Sequence, residues 1–116
     1  MADLEHYRQS IQRLLEELYS YEHSSEKLRD SDVESQLVFD RDHDHYLMLD
    51  VGWDQKQFVY GTIVHIDIKD GKIWIQRNNT EISFAERLVA QGIPKDHIVL
   101  GLHSPFMRKA SGYAAG

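Results

Sequence analysis

Residues 46–76, YLMLDVGWDQKQFVYGTIVHIDIKDGKIWIQ, decide the fold. The stretch holds three runs rich in β-branched and aromatic residues, separated by two short polar turns. Such runs favour strands, and turns this short make neighbouring strands antiparallel. The first run is a strand from Tyr46 to Trp53. Leu47, Leu49, Val51 and Trp53 share one of its faces, and Tyr46, Met48 and Asp50 share the other. The turn Asp54 to Gln57 leads into a strand from Phe58 to Lys69. Strict alternation places Tyr60, Thr62, Val64, Ile66 and Ile68 together, with Val59, Gly61, Ile63, His65 and Asp67 opposite. Gly61 marks a bulge or a close packing contact. Asp70-Gly71 is a strong hairpin signal, because a primed turn needs positive φ at both centres. The last strand, Lys72 to Arg77, opposes Ile73 and Ile75 to Trp74 and Gln76.

Working outward, Glu34 to Asp40 reads as a further strand, with Ser35, Leu37 and Phe39 alternating against Gln36 and Val38. A charged turn, Asp40 to His45, joins it to the next strand. The sheet is thus a four-stranded antiparallel meander. Residues 23–34 read as a polar surface loop. Before it, residues 3–22 form an amphipathic helix. Leu4, Tyr7, Ile11, Leu14, Leu15, Leu18 and Tyr21 recur at spacings of three and four, and Asp3 caps the amino end. A helix of this kind packs on the sheet of its own chain; the same spacing also suits a short helix–helix seam with a second copy.

After the meander a second helix runs to about Gln91. Thr80 and Ser83 are the candidate caps, and Ser83-Phe-Ala-Glu86 matches a capping box. Gly92 occupies the position of a left-handed C-terminal residue, and Pro94 forbids continuation. Ile98 to Leu100 forms a short final strand, and the tail from Gly101 reads as extended. The fold class is therefore α+β: a meander with an N-terminal helix, a second helix after strand four, a short final strand and an extended C-terminal tail. All 116 residues form one domain.

Composition narrows the function classes. Hydrophobic content of 41% against 28% charged residues is that of a soluble globular domain. The net charge of −6 is not what a direct nucleic-acid binder carries, and none is expected here. The acid is concentrated before residue 51, and the remainder is mildly basic. That asymmetry suits a protein that meets another protein. With no cysteine, disulfides and thiolate chemistry are excluded. No run is apolar enough to span a membrane and the first residues do not read as a signal peptide, so the expected location is the cytoplasm.

No catalytic constellation emerges, and no cofactor or metal is expected. Asp40, Asp42, His43, Asp44 and His45 offer carboxylates and imidazoles, but at the spacing of a solvated hairpin turn. Asp67-Ile-Lys69 matches a fragment of a common nuclease site. An alternative reading is therefore a metal-dependent nuclease or hydrolase using Asp50, His65, Asp67 and Lys69. Trp53, Trp74, Tyr46, Phe58 and Tyr60 could stack bases, but with few cations among them they read better as core and cross-strand packing. The tail, with His103, Ser104, Phe106, Arg108, Lys109 and Tyr113, is too aromatic for a loose terminus. It is expected to be tied to its own sheet or to another chain.

Tyr7-Arg8 and the first helix, QLVFD (36–40), DHY (44–46), VGW (51–53), Tyr60-Gly61, HIDIK (65–69), GKIWIQ (71–76) and GLHSPF (101–106) resemble the XisI family over essentially the whole chain. These are the fdxN element excision controlling factor proteins, frequent in filamentous cyanobacteria. The resemblance implies an accessory, regulatory protein for site-specific excision of a DNA element. It would act through protein–protein contacts with a XisH-like partner, while a separate recombinase performs the strand chemistry. It carries over no catalytic residues, so the expectation is a protein that is not an enzyme. The expected contact residues are Trp53, Trp74, His103, Phe106 and Arg108. A homodimer is expected as well, since a small sheet with aromatics on both faces leaves apolar surface to bury.

Overall fold

The computed structural model describes residues 3–24 and 31–116. The element order is α1 (Leu4–Ser24), β1 (Glu34–Asp40), β2 (His45–Asp54), β3 (Gln57–Lys69), β4 (Lys72–Asn78), α2 (Phe84–Ala90), β5 (Ile98–Val99) and α3 (Pro105–Lys109). A 3-10 turn, Lys95–His97, precedes β5. The sheet order is β1-β2-β3-β4-β5. The first three pairings are antiparallel, and β5 pairs parallel to β4. The α+β meander predicted from sequence is present, with the final strand joined to its edge. That last pairing can be parallel because α2 and its loops carry the chain back to the starting end of β4. The polar loop read at 23–34 falls largely on residues 25–30, which lie outside the described residues.

The turns follow their local chemistry. Asp70 has φ 54° and Gly71 φ 75°, the two positive values of a type I′ hairpin. Ser83, not Thr80, is the N-cap of α2, its side chain accepting from the Glu86 N–H. Gly92 follows α2 with φ 91°, as a left-handed terminator should. Asp3 caps α1, its Oδ1 accepting from the His6 N–H at 3.1 Å.

α1 packs along one face of its own sheet. Tyr7, Ile11, Leu14, Leu15 and Leu18 are buried against Tyr46, Met48, Val64, Ile66, Ile73 and Ile75. α2 closes the same layer with Phe84, Ala85 and Leu88. The stripe read from the sequence holds except at its end, where Tyr21 is exposed; Ser10 is buried instead.

The alternation assumed for β3 is interrupted. The β2–β3 register shifts between Met48 and Leu49, so Met48 pairs with Val64 while Leu49 pairs with Thr62. Ile63 is the extra residue of a bulge and packs against the core. Everything before it changes face: Tyr60 and Thr62 lie opposite to Val64, not beside it as strict alternation had placed them. The bulge is at Ile63, not at Gly61, which has open space above it. A second shift lies between His65 and Ile66 on the β3–β4 side, and leaves Gln76 unpaired.

The tail is not extended throughout. Ser104 accepts from the Met107 N–H at 3.3 Å, and Pro105 opens the short helix α3. Ser followed by Pro is the sequence signal for such a start. The chain then returns beside β5, where the Ala114 N–H donates to the Ile98 carbonyl at 2.8 Å. The expectation of a tied-down tail holds.

An ion pair fastens α1 to the β1–β2 turn. Arg8 grips Asp44 through Nε–Oδ1 at 2.8 Å and a second guanidinium nitrogen to Oδ2 at 3.1 Å, and the Tyr46 hydroxyl donates to the same carboxylate at 2.8 Å. The Arg8 hydrogen bond, opposed by burial and helped by Tyr46, holds the Asp44 carboxyl below its ordinary range. Burial and the Asp44 hydrogen bond push the Tyr46 phenol up. A carboxyl lowered in the folded state contributes stability above its unfolded pKa, about 3.9, and loses it as pH falls through the folded value. Asp44→Asn should therefore cost about 1–2 kcal/mol at neutral pH, and the gap from wild type should close in acid. Urea melts at several pH values test this; a gap that persists unchanged into strong acid would refute it.

Candidate functional site

The sheet face turned away from α1 and α2 carries the functional candidates. Cross-strand partners share a face, so Val38, Leu47 and His65 lie in one row, and Val51 with Tyr60 and Trp53 with Phe58 in others. No helix covers the β2–β3 hairpin end of this face among the described residues. There Trp53 is 55%, Phe58 51% and Tyr60 73% exposed, while Val38, 42% exposed, lies farther along the face in the row of His65. The rings of Trp53 and Phe58 pack on each other at 5.3 Å between centroids. Cross-strand packing was the right expectation for this pair, but core burial was not. Tyr46 is the aromatic of that group that enters the core. The bulge at Ile63 is the reason Tyr60 points outward.

At the other end of the same face three polar side chains converge. His45 and Asp67 are directly opposite in the β2–β3 ladder. His65 precedes Asp67 by two residues, which brings it to the same face. His45 Nδ1 and His65 Nε2 both lie 2.7 Å from Asp67 Oδ1. The two rings stand at 74°, with centroids 6.3 Å apart. Gln76 reaches the other carboxylate oxygen, Nε2 to Oδ2 at 3.4 Å. Asp67 is one of two buried polar residues among those described, the other being Ser10. Burial alone would push its carboxyl up. The hydrogen bonds from His45 and His65, the His65 charge and the Gln76 bond together hold it below the ordinary value. The Asp67 hydrogen bond raises the His45 imidazole.

The set proposed for a nuclease, Asp50, His65, Asp67 and Lys69, does not assemble. Asp50 is on the α1 side of the sheet, two residues from the buried Met48, where it accepts from the Ser35 hydroxyl at 2.7 Å. Lys69 lies over the Trp74 ring at 4.1 Å. Asp50 is thereby removed from His65 and Asp67, so the four residues of that reading do not gather at one place; Lys69 stays on their face, over the Trp74 that pairs with Asp67. The turn cluster also disperses. Asp40 accepts from the Asp42 and His43 N–H groups and meets His43 Nδ1 at 3.0 Å. Asp44 turns to Arg8, and His45 alone joins the strand cluster. The sequence paired His65 with Asp67 but left His45 in the turn; only the ladder register connects them.

The five expected contact residues do not form one patch. Trp53 is at the β2–β3 hairpin end. Trp74 is near the β3–β4 hairpin, on the order of 30 Å away along β3 at about 3.4 Å per residue. There, Arg108 stacks on Trp74 at 5.1 Å from the side of the tail. Its guanidinium donates to the carbonyls of His103 at 3.0 Å and Gly101 at 3.3 Å. Trp74 and Arg108 thus hold the tail on the sheet. Phe106, 83% exposed on α3, is the outward-facing member of this group.

Comparison with known proteins gives a consistent family. The family model described as XisI protein matches residues 1–115. Among solved structures, the fdxN element excision controlling factor XisI from Anabaena variabilis is 34% identical. It aligns with a TM-score of 0.86 over 97% of this chain and 98% of its own. A XisI-like protein from the same organism is 41% identical, with a TM-score of 0.75 over 90% and 95%. No curated protein matches.

Proposed function

The chain belongs to the XisI family, and from that membership we propose that it is a non-catalytic control factor for excision of a DNA element, working by binding another protein. The observation that carries this reading is the uncovered group of Trp53, Phe58 and Tyr60 at the β2–β3 hairpin end of the sheet face. Exposed aromatics gathered on one flat surface are what protein interfaces use at their centres. Net charge of −6 favours a protein partner over direct contact with phosphates. The XisH-like protein named by the family resemblance is the partner proposed. Phe106 on α3 extends the contact surface at the opposite end.

Co-expression with a XisH-like protein from the same genome tests the proposal. The two should co-purify as a defined complex. The double variant Trp53→Ala/Tyr60→Lys should weaken the complex at least about tenfold, as loss of two central aromatics does. Its unfolding free energy should fall by no more than about 1–2 kcal/mol, the loss of one half-exposed cross-strand aromatic pair. A wild-type chain that elutes alone in the presence of the XisH-like protein defeats the reading. So does a complex indifferent to both substitutions.

A further inference from the structure

We propose that His45, His65 and Asp67 form a binding site for a divalent transition cation of the zinc class, seated on the face of the sheet between β2 and β3. The three ligand atoms, one from each residue, lie within 4.8 Å of one another. Two imidazole nitrogens and one carboxylate oxygen are the donor set that suits zinc and its neighbours. Magnesium and calcium prefer oxygen alone, so they are not the expected occupants.

Three features favour a cation over a hydrogen-bonded trio. First, two imidazole nitrogens are aimed at the same oxygen, Asp67 Oδ1, each at 2.7 Å. A cation seated among the three would meet both nitrogens and this oxygen at once. Second, the carboxylate has an outer partner: Gln76 Nε2 holds Oδ2, leaving Oδ1 for the cation. That is how ligating carboxylates are oriented in metal sites. Gln76 is itself positioned by a tertiary contact, its Oε1 resting where a Cβ on Gly101 would stand. It stands two residues from Trp74, the ladder partner of Asp67, and the β4 bulge leaves it without a ladder partner of its own. Third, the site is open on one side. The His45 side chain is 54% exposed and the His65 side chain 35%, whereas Asp67 is 13%. The histidines can swing outward by the fraction of an ångström that metal–nitrogen bonds of about 2.0–2.1 Å require, and solvent can complete the coordination.

Such a cation would bridge β2 to β3 and, through Gln76, to β4. The inference is independent of the partner reading above, since it concerns a different end of the face.

The test uses tag-free full-length protein stripped of metal, titrated with Zn²⁺ by calorimetry and with Co²⁺ by visible absorption. The expected result is one equivalent bound, with the d–d band of a nitrogen- and oxygen-ligated Co²⁺. His45→Ala, an exposed position that leaves the core intact, should lose at least tenfold in affinity, as should His65→Ala. Gln76→Leu should lose about tenfold, in the range for outer-partner changes. His43→Ala, in the neighbouring turn, should bind like wild type. Overturning results are no binding by the wild type, binding unchanged in both His45→Ala and His65→Ala, or a loss confined to His43→Ala. Imidazole resonances followed by NMR provide the second readout: only those of His45 and His65 should shift on addition of Zn²⁺.

Discussion

Tyr46→Ala is expected to lower the unfolding free energy by about 3–5 kcal/mol. That is a large share of the roughly 5–15 kcal/mol that holds a domain of this size. Tyr46 is fully buried at the start of β2, directly opposite Phe39 on one side and Ile66 on the other. Its ring packs on Phe39 at 6.0 Å between centroids, and α1 lies over this part of the sheet. Truncation removes the ring from the middle of these contacts, and the strands on either side cannot close the gap without breaking their ladders. It also takes the hydroxyl from Asp44, weakening the Arg8 clasp. Tyr46→Phe separates the two effects, since it keeps the ring and loses only the hydrogen bond. It should cost about 1 kcal/mol. Urea denaturation of both variants measures the difference. If Tyr46→Ala and Tyr46→Phe were equally destabilising, the packing account would be wrong.

Gly52→Ala is expected to cost on the order of 3 kcal/mol, from a backbone conformation nearly closed to other residues together with a direct clash. Gly52 has φ 141°, and a Cβ built there would lie 2.5 Å from the Asp32 carbonyl oxygen and 3.0 Å from the Val33 Cα. Both are backbone atoms, so no side-chain rotation relieves the contact. The segment leading into β1 is anchored there by the Asp32 N–H donating to the Trp53 carbonyl at 3.0 Å. Moving it would cost that bond and disturb the edge of the β1–β2 ladder. Gly61→Ala is the control, because a Cβ added at Gly61 would meet nothing within 4 Å; it should change stability by no more than about 0.5 kcal/mol. Thermal or urea melts of the two alanine variants should diverge sharply. Equal stability would show that the approach of residues 32–33 to β2 is not a fixed feature of the fold.

The candidate site was legible only in halves. His65 and Asp67 sit two apart on a strand, so their shared face follows from the pleat alone. His45 reads as turn, because charged and imidazole residues run together from Asp40 to His45 and nothing local singles out the last. Trp53, Phe58 and Tyr60 read as packing, because exposed and buried aromatics have the same composition and spacing. The Ser104-Pro105 start of α3 was visible, but its polar and small-residue surroundings favoured an extended reading.

What the sequence by itself determined is local. The Tyr46–Gln76 stretch yields three strands and two turns, because β-branched alternation and Asp-Gly chemistry act over a few neighbouring residues. The α1 stripe and the α2 cap and stop are equally local. The tertiary structure decided which face of each strand is core, where alternation breaks, and which strands meet. The extra residues Ile63 and Gln76 belong to the pairing of β3 with β2 and with β4, a match between strands that no single strand's sequence contains, and each reassigns the side chains around it. The parallel docking of β5 likewise depends on where α2 delivers the chain. His45 reaches Asp67 through register across two strands 22 residues apart in sequence, a distance no periodicity spans.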